Sequence, residues 1–319
     1  MSTETGIEKI PIAISSCLLG EEVRFDGGHK HNAYITQTLG EYFSYTPFCP
    51  EVAIGLGVPR PTIQLVQVED DIRVRGSKDP QLDVTERLQD YARSVLPALE
   101  GYCGYIFKRA SPSCGMERVK VYKNGNPVGT SSGAYAAVIM QALPELPVEE
   151  EGRLMDPVLR ENFIERVFVY HRWQQLKRGG LTVAGLVQFH TVHKFTLLAH
   201  DEVIYRELGR IIADTGKADI QVLAQQYAQR LMQALSKPAT RKTHTNVLMH
   251  IMGYVKDSLT AEDKQELLEI LDKYRLGQVP LIVPITLLKH YLRRFPDDYI
   301  KQQVYLTPHP DELMLRNSL

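Results

Sequence analysis

The 319-residue chain contains no C-x-x-C pair, no H-E-x-x-H motif and no Walker A phosphate loop. These absences exclude a zinc ribbon or thioredoxin-type redox pair, a zincin-type metal helix and a P-loop nucleotide cradle. Its four cysteines are too few for a secreted disulfide scaffold. The N-terminal stretch "MSTETGIEKIPIAISS" lacks the basic start and long apolar core of a signal peptide. No apolar run approaches the roughly 20 residues needed to span a bilayer, so a cytoplasmic chain with no membrane partner is expected. Internal repeats and low-complexity tracts are absent, nothing indicates a protein partner, and a net charge of −1 shows no excess of either sign.

What is present is an ordinary core-forming composition, 44% hydrophobic and 24% charged. Charge is uneven along the chain. Residues 1–150 carry 14 Lys+Arg against 19 Asp+Glu, leaving 37 − 14 = 23 against 38 − 19 = 19 for the remainder. A positive second half fits a nucleic-acid or other acidic partner, and equally a solvated helical surface.

Two textures divide the sequence. Up to residue 143, apolar runs such as "IPIAISSC" and "GYCGYIFKRA" alternate with helical patterns, and "TIQLVQVEDDIRVRG" reads as two strands around an acidic turn. "DVTERLQDYARSVLPAL" reads as a helix capped by Asp83, and "SSGAYAAVIMQAL" as one capped by Ser131 or Ser132. This alternation predicts an α/β domain with a mainly parallel, Rossmann-like sheet over residues 1–143. The proline-rich, charged stretch 144–157 reads as a linker. Residues 158–319 are helical almost throughout and predict an all-α domain, its first helix entered through Asp156 and Pro157.

Cys17 ("ISSCLLG"), Cys49 ("PFCPE") and Cys114 ("SPSCG") each follow a predicted strand and precede Gly or Pro turn chemistry. Loops at the carboxyl ends of parallel strands converge on one crevice, so three thiols distant in sequence can meet. Cys103 lies inside an apolar run and reads as a core thiol. Three thiolates without a fourth would leave an open coordination position, on zinc for water or on a [4Fe–4S] cluster for substrate. Three unrelated buried cysteines are the bland alternative. Glu51, two residues after Cys49, could activate water beside a Lewis-acidic metal or merely cap a helix. Ser111, three residues before Cys114, and Asp26-Gly27-Gly28 could serve chemistry or simply form turns.

The segments "SSCLLG…VRFDGGHK", "CPE…GLGVPRP" and "SPSCG" resemble the thiouracil desulfidase (TudS-type) domain over about residues 10–143. The second half resembles the YbgA-like domain through "HRWQQLKRGGLTVAGLVQFHTVHKFTLLAH" and "RKTHTNVLMHIMGY". The fusion is similar to RudS-type proteins, which remove sulfur from 4-thiouridine in tRNA. The resemblance implies a [4Fe–4S] cluster on Cys17, Cys49 and Cys114, with the substrate's sulfur taken by the unligated iron and replaced by water. It places the catalytic pair on Glu51 and Ser111 and implies tRNA or free thiouracil as substrate. Ala110 is the visible departure within "KRASPSCG". Asp26, Gly27, Arg60, Arg241 and Lys242 are the candidates for substrate contact. The competing readings are a zinc-dependent hydrolase or deaminase on the same thiols, and an RNA-binding module with a structural or sensing cluster.

Other signals are weaker. "GTSSG" matches the nucleophile elbow formally, but the stretch before it reads as turns rather than the required strand. His190, His193 and His200 read as helix-packing histidines. Lys237, Arg241, Lys242 and Lys256, with Lys289, Arg293 and Arg294, form basic segments suited to phosphates. Trp173 reads as core.

Overall fold

The computed structural model describes residues 8–214 and 219–317. The expected outer boundaries at residues 1 and 319, and the "TG" that closes one predicted helix at 215–216, lie outside the described residues. The chain divides into two compact units between Asp156 and Pro157.

Among the described residues the first unit holds eight strands: β1 Ile10–Ser15, β2 Phe43–Phe48, β3 Ile63–Val68, β4 Asp71–Gly76, β5 Tyr105–Phe107, β6 Val119–Lys123, β7 Asn126–Ser131 and β8 Val148–Glu150. They form two sheets, within the α/β class expected for this half of the chain. The first has the order β2-β1-β5-β8 and is parallel throughout. Continuous apolar runs suit strands covered on both faces, and Ile12, Ile14, Tyr105 and Phe107 are fully buried. Each such side chain stabilises the fold by about 1.5–3 kcal/mol relative to exposure. The second sheet, β4-β3-β6-β7, has one parallel pairing between two antiparallel hairpins. Asn124 and Gly125 turn one hairpin with φ values of 51° and 78°, the Asn-Gly pattern of a tight turn whose twist matches the strands.

Helices α1 Pro50–Ala53, α2 Thr85–Leu99 and α3 Ala134–Ala142 complete the unit. Asp83 Oδ1 accepts from the Thr85 backbone (3.1 Å) and hydroxyl (2.7 Å), although the residue at the cap position is Val84. For α3 the expected serine caps are replaced by Gly133. The Ser132 hydroxyl donates instead to the Met116 carbonyl, 2.8 Å away. "GTSSG" does follow a strand, contrary to the sequence reading: Gly129, Thr130 and Ser131 pair with β6 in a hairpin.

The stretch expected as a linker belongs to the first unit. Val148–Glu150 pairs with β5 as its fourth strand. Its polarity hid it, because Glu149 and Glu150 are buried by virtue of specific partners. Glu149 accepts from Arg153 Nε at 2.6 Å, and Glu150 from the Met116 backbone at 2.8 Å.

The second unit contains α4 Pro157–Arg178, α5 Val183–His200, α6 Glu202–Ala213, α7 Ile220–Leu235, α8 Arg241–Val255, α9 Ala261–Arg275, α10 Ile282–Arg294 and the short α11 Asp298–Lys301. Trp173 is buried and stacks on Tyr227 with centroids 5.6 Å apart. The unit also buries many polar groups. His193 Nδ1 lies 2.7 Å from the Phe189 carbonyl, His190 Nδ1 3.2 Å from the Tyr227 hydroxyl and His244 Nδ1 2.8 Å from the Tyr305 hydroxyl. His200 bridges the Lys237 carbonyl (2.6 Å) and Glu165 (3.1 Å). Burial works to raise the Glu165 carboxyl, but the His200 bond and the Arg316 charge hold it below the usual carboxylate range. Among the described residues no helix is long and apolar enough to cross a membrane.

Burial holds His190 and His309 at about 4, and His193 and His244 at about 3, against the ordinary 6.5. The unfolded chain therefore takes up protons that the folded one refuses. Stability is full above about pH 6.5 and falls below it, by on the order of 1 kcal/mol per histidine per pH unit. Thermal melts should show the midpoint dropping steadily between pH 7 and 5; a flat profile would contradict this burial.

Candidate active site

β1 sits between β2 and β5, so the carboxyl ends of three parallel strands lie side by side. β1 runs into a 3-10 turn at Ser16–Leu19 that contains Cys17. β2 delivers Cys49 as the N-cap of α1, with Pro50 at the first helical position and Glu51 in the first turn. β5 opens the loop that carries Ser111, Ser113 and Cys114 on the way to β6, and the start of α3 donates to its Pro112 and Ser113 carbonyls. The three cysteines line one cavity of about 370 Å³, together with Ser15, Glu51, Arg60, Lys108 and Ser111. Cys103 does not line it. That cysteine is buried just before β5, its backbone N–H donating to the Pro11 carbonyl at 2.8 Å.

The loop before Cys114 is held by its own serine. Ser111 Oγ accepts from the backbone N–H groups of Ser113 (3.2 Å) and Cys114 (3.1 Å). Two glycines let backbone pack against it. A Cβ on Gly133 would sit 2.5 Å from the Ser113 carbonyl, and one on Gly115 2.8 Å from the Ser111 carbonyl. Ala110 stands at φ 56°, a left-handed conformation uncommon for a residue with a Cβ.

Glu51 is fixed from two sides. Arg60 grips Oε2 through Nη2 (2.7 Å) and Nε (2.8 Å), and the Ser113 hydroxyl donates to Oε1 at 2.9 Å. Ser111 Oγ lies further off, 3.5 Å from the same oxygen. The Glu51 side chain stays 14% exposed while that of Arg60 is 4% exposed, and both residues line the cavity.

Burial raises the Cys17 thiol to about 11 against the pull of Lys108 and Arg24. Burial also pushes Cys49 and Cys114 up, and the Ser15 hydrogen bond opposes the rise at Cys114. Lys108 is tied to Glu151, and its backbone N–H donates to Ser15 Oγ at 2.9 Å. Among the described residues no three His, Cys, Asp or Glu are grouped to hold a single metal ion.

Of the predicted site residues, Cys17, Cys49, Cys114, Glu51, Ser111 and Arg60 come together. Asp26 and Gly27 do not line the cavity. Asp26 Oδ1 accepts from the Gly28 backbone at 3.1 Å while Gly27 takes φ 75°, so the pair forms a turn that presents the neighbouring Arg24 and Phe25 to the cavity. Arg241 and Lys242 belong to the second unit, where Lys242 is exposed. Arg241 lies over the Tyr274 ring, 5.8 Å from its centroid, and is partly buried. Lys237 pairs with Asp201. The sequence reading missed Ser113 and Ser15, whose roles depend on how two loops approach each other.

Residues 12–151 match the family model described as 2-thiouracil desulfurase, and residues 194–310 the model described as a protein of unknown function, DUF1722. Over 154 residues the chain is 37% identical to the uncharacterized protein YbgA of Escherichia coli (strain K12), covering 48% of this chain and 91% of that protein. Over 140 residues it is 30% identical to the uncharacterized protein YbbK of Bacillus subtilis (strain 168), covering 41% of this chain and 90% of that protein. A solved structure of a [4Fe-4S]-dependent thiouracil desulfidase, TudS, shares 32% identity with a TM-score of 0.38, covering 46% of this chain and 95% of that one.

Ser111→Ala would leave the Ser113 and Cys114 N–H groups without their acceptor, at a cost of about 1–3 kcal/mol each. Urea unfolding should register a loss of about 2 kcal/mol or more, against about 0.5 kcal/mol or less for Asp26→Ala on the exposed turn. Equal effects would mean that Ser111 does not hold the loop.

Proposed function

Since the chain belongs to the 2-thiouracil desulfurase family through residues 12–151 and joins to it a DUF1722 region at residues 194–310, we propose that its first unit removes sulfur from thiolated uracil, with 4-thiouridine in tRNA as the leading substrate. The observation that carries this reading is the convergence of three thiols and a clamped carboxylate on one cavity. The net reaction exchanges sulfur for oxygen: C=S and water give C=O and hydrogen sulfide. Carbon keeps its oxidation state, so no electron donor is required.

The donor set fits a [4Fe–4S] cluster held by Cys17, Cys49 and Cys114. All three donors are soft sulfur, and the nearest carboxylate, Glu51, is already engaged by Arg60. Such a cluster supplies a soft Lewis-acidic iron without a protein thiolate, suited to the substrate's sulfur. Glu51 takes the proton of the attacking water on its carboxylate and returns it to the departing sulfur. Arg60 and Ser113 keep that carboxylate aimed, and Ser111 positions Cys114 through its backbone. Arg24, Lys30 and Arg109 at the cavity wall favour a substrate that carries phosphate over a neutral free base.

Protein purified without oxygen should be brown and carry about four iron and four sulfide per chain, the composition of this cluster type. Zinc alone would point instead to a hydrolase or deaminase. Cys17→Ala, Cys49→Ala and Cys114→Ala should each lose cluster and activity, while Cys103→Ala keeps both. Glu51→Gln should keep the cluster and lose about 10²–10⁴ in turnover, the usual weight of a proton-transfer group. Loss of thiocarbonyl absorbance from 4-thiouridine-containing tRNA measures that turnover. Absorbance that persists while tRNA binds would indicate a binding module only.

Exposed Lys242 in the helical unit is proposed to contact the tRNA backbone. Affinity of the whole chain for tRNA should then fall steeply with salt, and Lys242→Gln should reduce the slope of log affinity against log salt by about one. An unchanged slope would remove Lys242 from the interface.

A further inference from the structure

The helical unit contains a recessed polar cavity of about 130 Å³ at the start of α8, lined by Glu161, Glu165, His200, Arg241, His244 and Arg316 among others. Three of its side-chain atoms are buried without a hydrogen-bond partner: Arg241 Nη1, Arg316 Nε and Arg316 Nη2. All three are N–H donors. A guanidinium cannot accept, so the group that completes them must be an acceptor.

Both arginines are held in place by contacts of their own. The Arg241 guanidinium lies over Tyr274, 5.8 Å from its centroid, and against Gly277, where a Cβ would come within 2.6 Å of Nη1. The Arg316 side chain is only 3% exposed. Its Nη1 donates to the Tyr305 carbonyl at 2.6 Å, and its guanidinium stands 5.0 Å from the centroid of the Tyr305 ring. Its remaining contacts are loose ion pairs, Nε to Glu161 Oε1 at 3.4 Å and Nη2 to Glu165 Oε1 at 3.5 Å.

The carboxylates facing Arg316 have other calls on them. Glu161 Oε2 accepts from the Arg316 backbone at 3.0 Å, and Glu165 Oε2 lies 3.1 Å from His200 Nε2. The backbone adds to the positive field. α8 runs for 15 residues from a capping box in which Thr240 and Thr243 satisfy each other's backbone N–H. The first-turn N–H groups of any helix lack intrahelical acceptors, and the first residue of this one, Arg241, lines the cavity, so the positive end of the helix dipole lies beside it.

We propose that this cavity is an oxyanion site for the phosphate group of a small phosphomonoester. A tetrahedral oxyanion offers acceptors to both guanidinium groups and to the helix start at once. The volume admits the phosphate and leaves the rest of the molecule outside. The inference is independent of the chemistry assigned to the first unit.

Calorimetric titration of the full chain with inorganic phosphate, in chloride of matched ionic strength, tests it. Binding should saturate at one phosphate per chain, and Arg241→Gln should weaken it at least tenfold. Lys273→Gln, which removes an exposed charge beside Tyr274, should change it less than twofold. Should Arg241→Gln fail to fold, Arg241→Lys keeps the charge without the fork and should still weaken binding at least threefold. Uridine monophosphate should bind at least as tightly as inorganic phosphate, and dimethyl phosphate, a diester, at least tenfold more weakly. No saturable heat, or equal affinity in wild type and the Arg241 variant, would overturn the site. Equal losses from the Lys273 and Arg241 variants would reduce it to surface electrostatics. A diester that binds as well as the monoester would overturn the ligand class.

Discussion

The parallel pairing of β1 with both β2 and β5 is the constraint on which the first unit's chemistry depends. Parallel neighbours end at the same edge, so loops separated by about 30 and 65 residues must share one crevice. Register then decides which residues reach it. Ser15 at the end of β1 aligns with Phe48 at the end of β2, and Cys17 and Cys49 follow within two residues. A register slip of one residue would turn alternate side chains to the opposite face and disperse the thiols.

Around that edge the molecule gives its polar groups fixed partners. Glu51, which lines the cavity, is gripped by a buried guanidinium and a buried serine rather than left mobile. Such pre-organisation removes reorientation from the cost of a proton transfer. Ser111 contributes less through its distance to Glu51 than through the two backbone N–H groups it holds. A serine that looks chemical in sequence therefore also has a structural task, which any loss of function on its removal must be weighed against.

The helical unit applies the same economy to a different end. His190, His193 and His244 are held neutral by burial, each with a hydroxyl or carbonyl partner, where a histidine-spaced helix could suggest metal. Arg316, far from α4 in sequence, meets Glu161 and Glu165 of that helix at 3.4 and 3.5 Å, too loose to satisfy its donors. Unmet donors of this kind mark a place where the folded chain alone does not complete its hydrogen bonding.

Local chemistry settles much of this from the sequence alone. Apolar runs ending in Gly or Pro turns fixed the strand-end character of Cys17 and Cys49, and helical periodicity separated the two halves. Trp173 and the histidines of α5 were legible as packing groups because large rings at helical spacing bury themselves. The sequence could not disclose β8, whose two glutamates are buried only because Arg153 and the Met116 backbone meet them in space. Nor could it rank Ser113 above Ser111, or show Arg241 lying over the Tyr274 ring, since both depend on which distant segment lies opposite. Residue type and spacing set what each segment can do; long-range packing alone decides which groups meet, because hydrogen bonds and burial are made with neighbours that sequence distance does not encode.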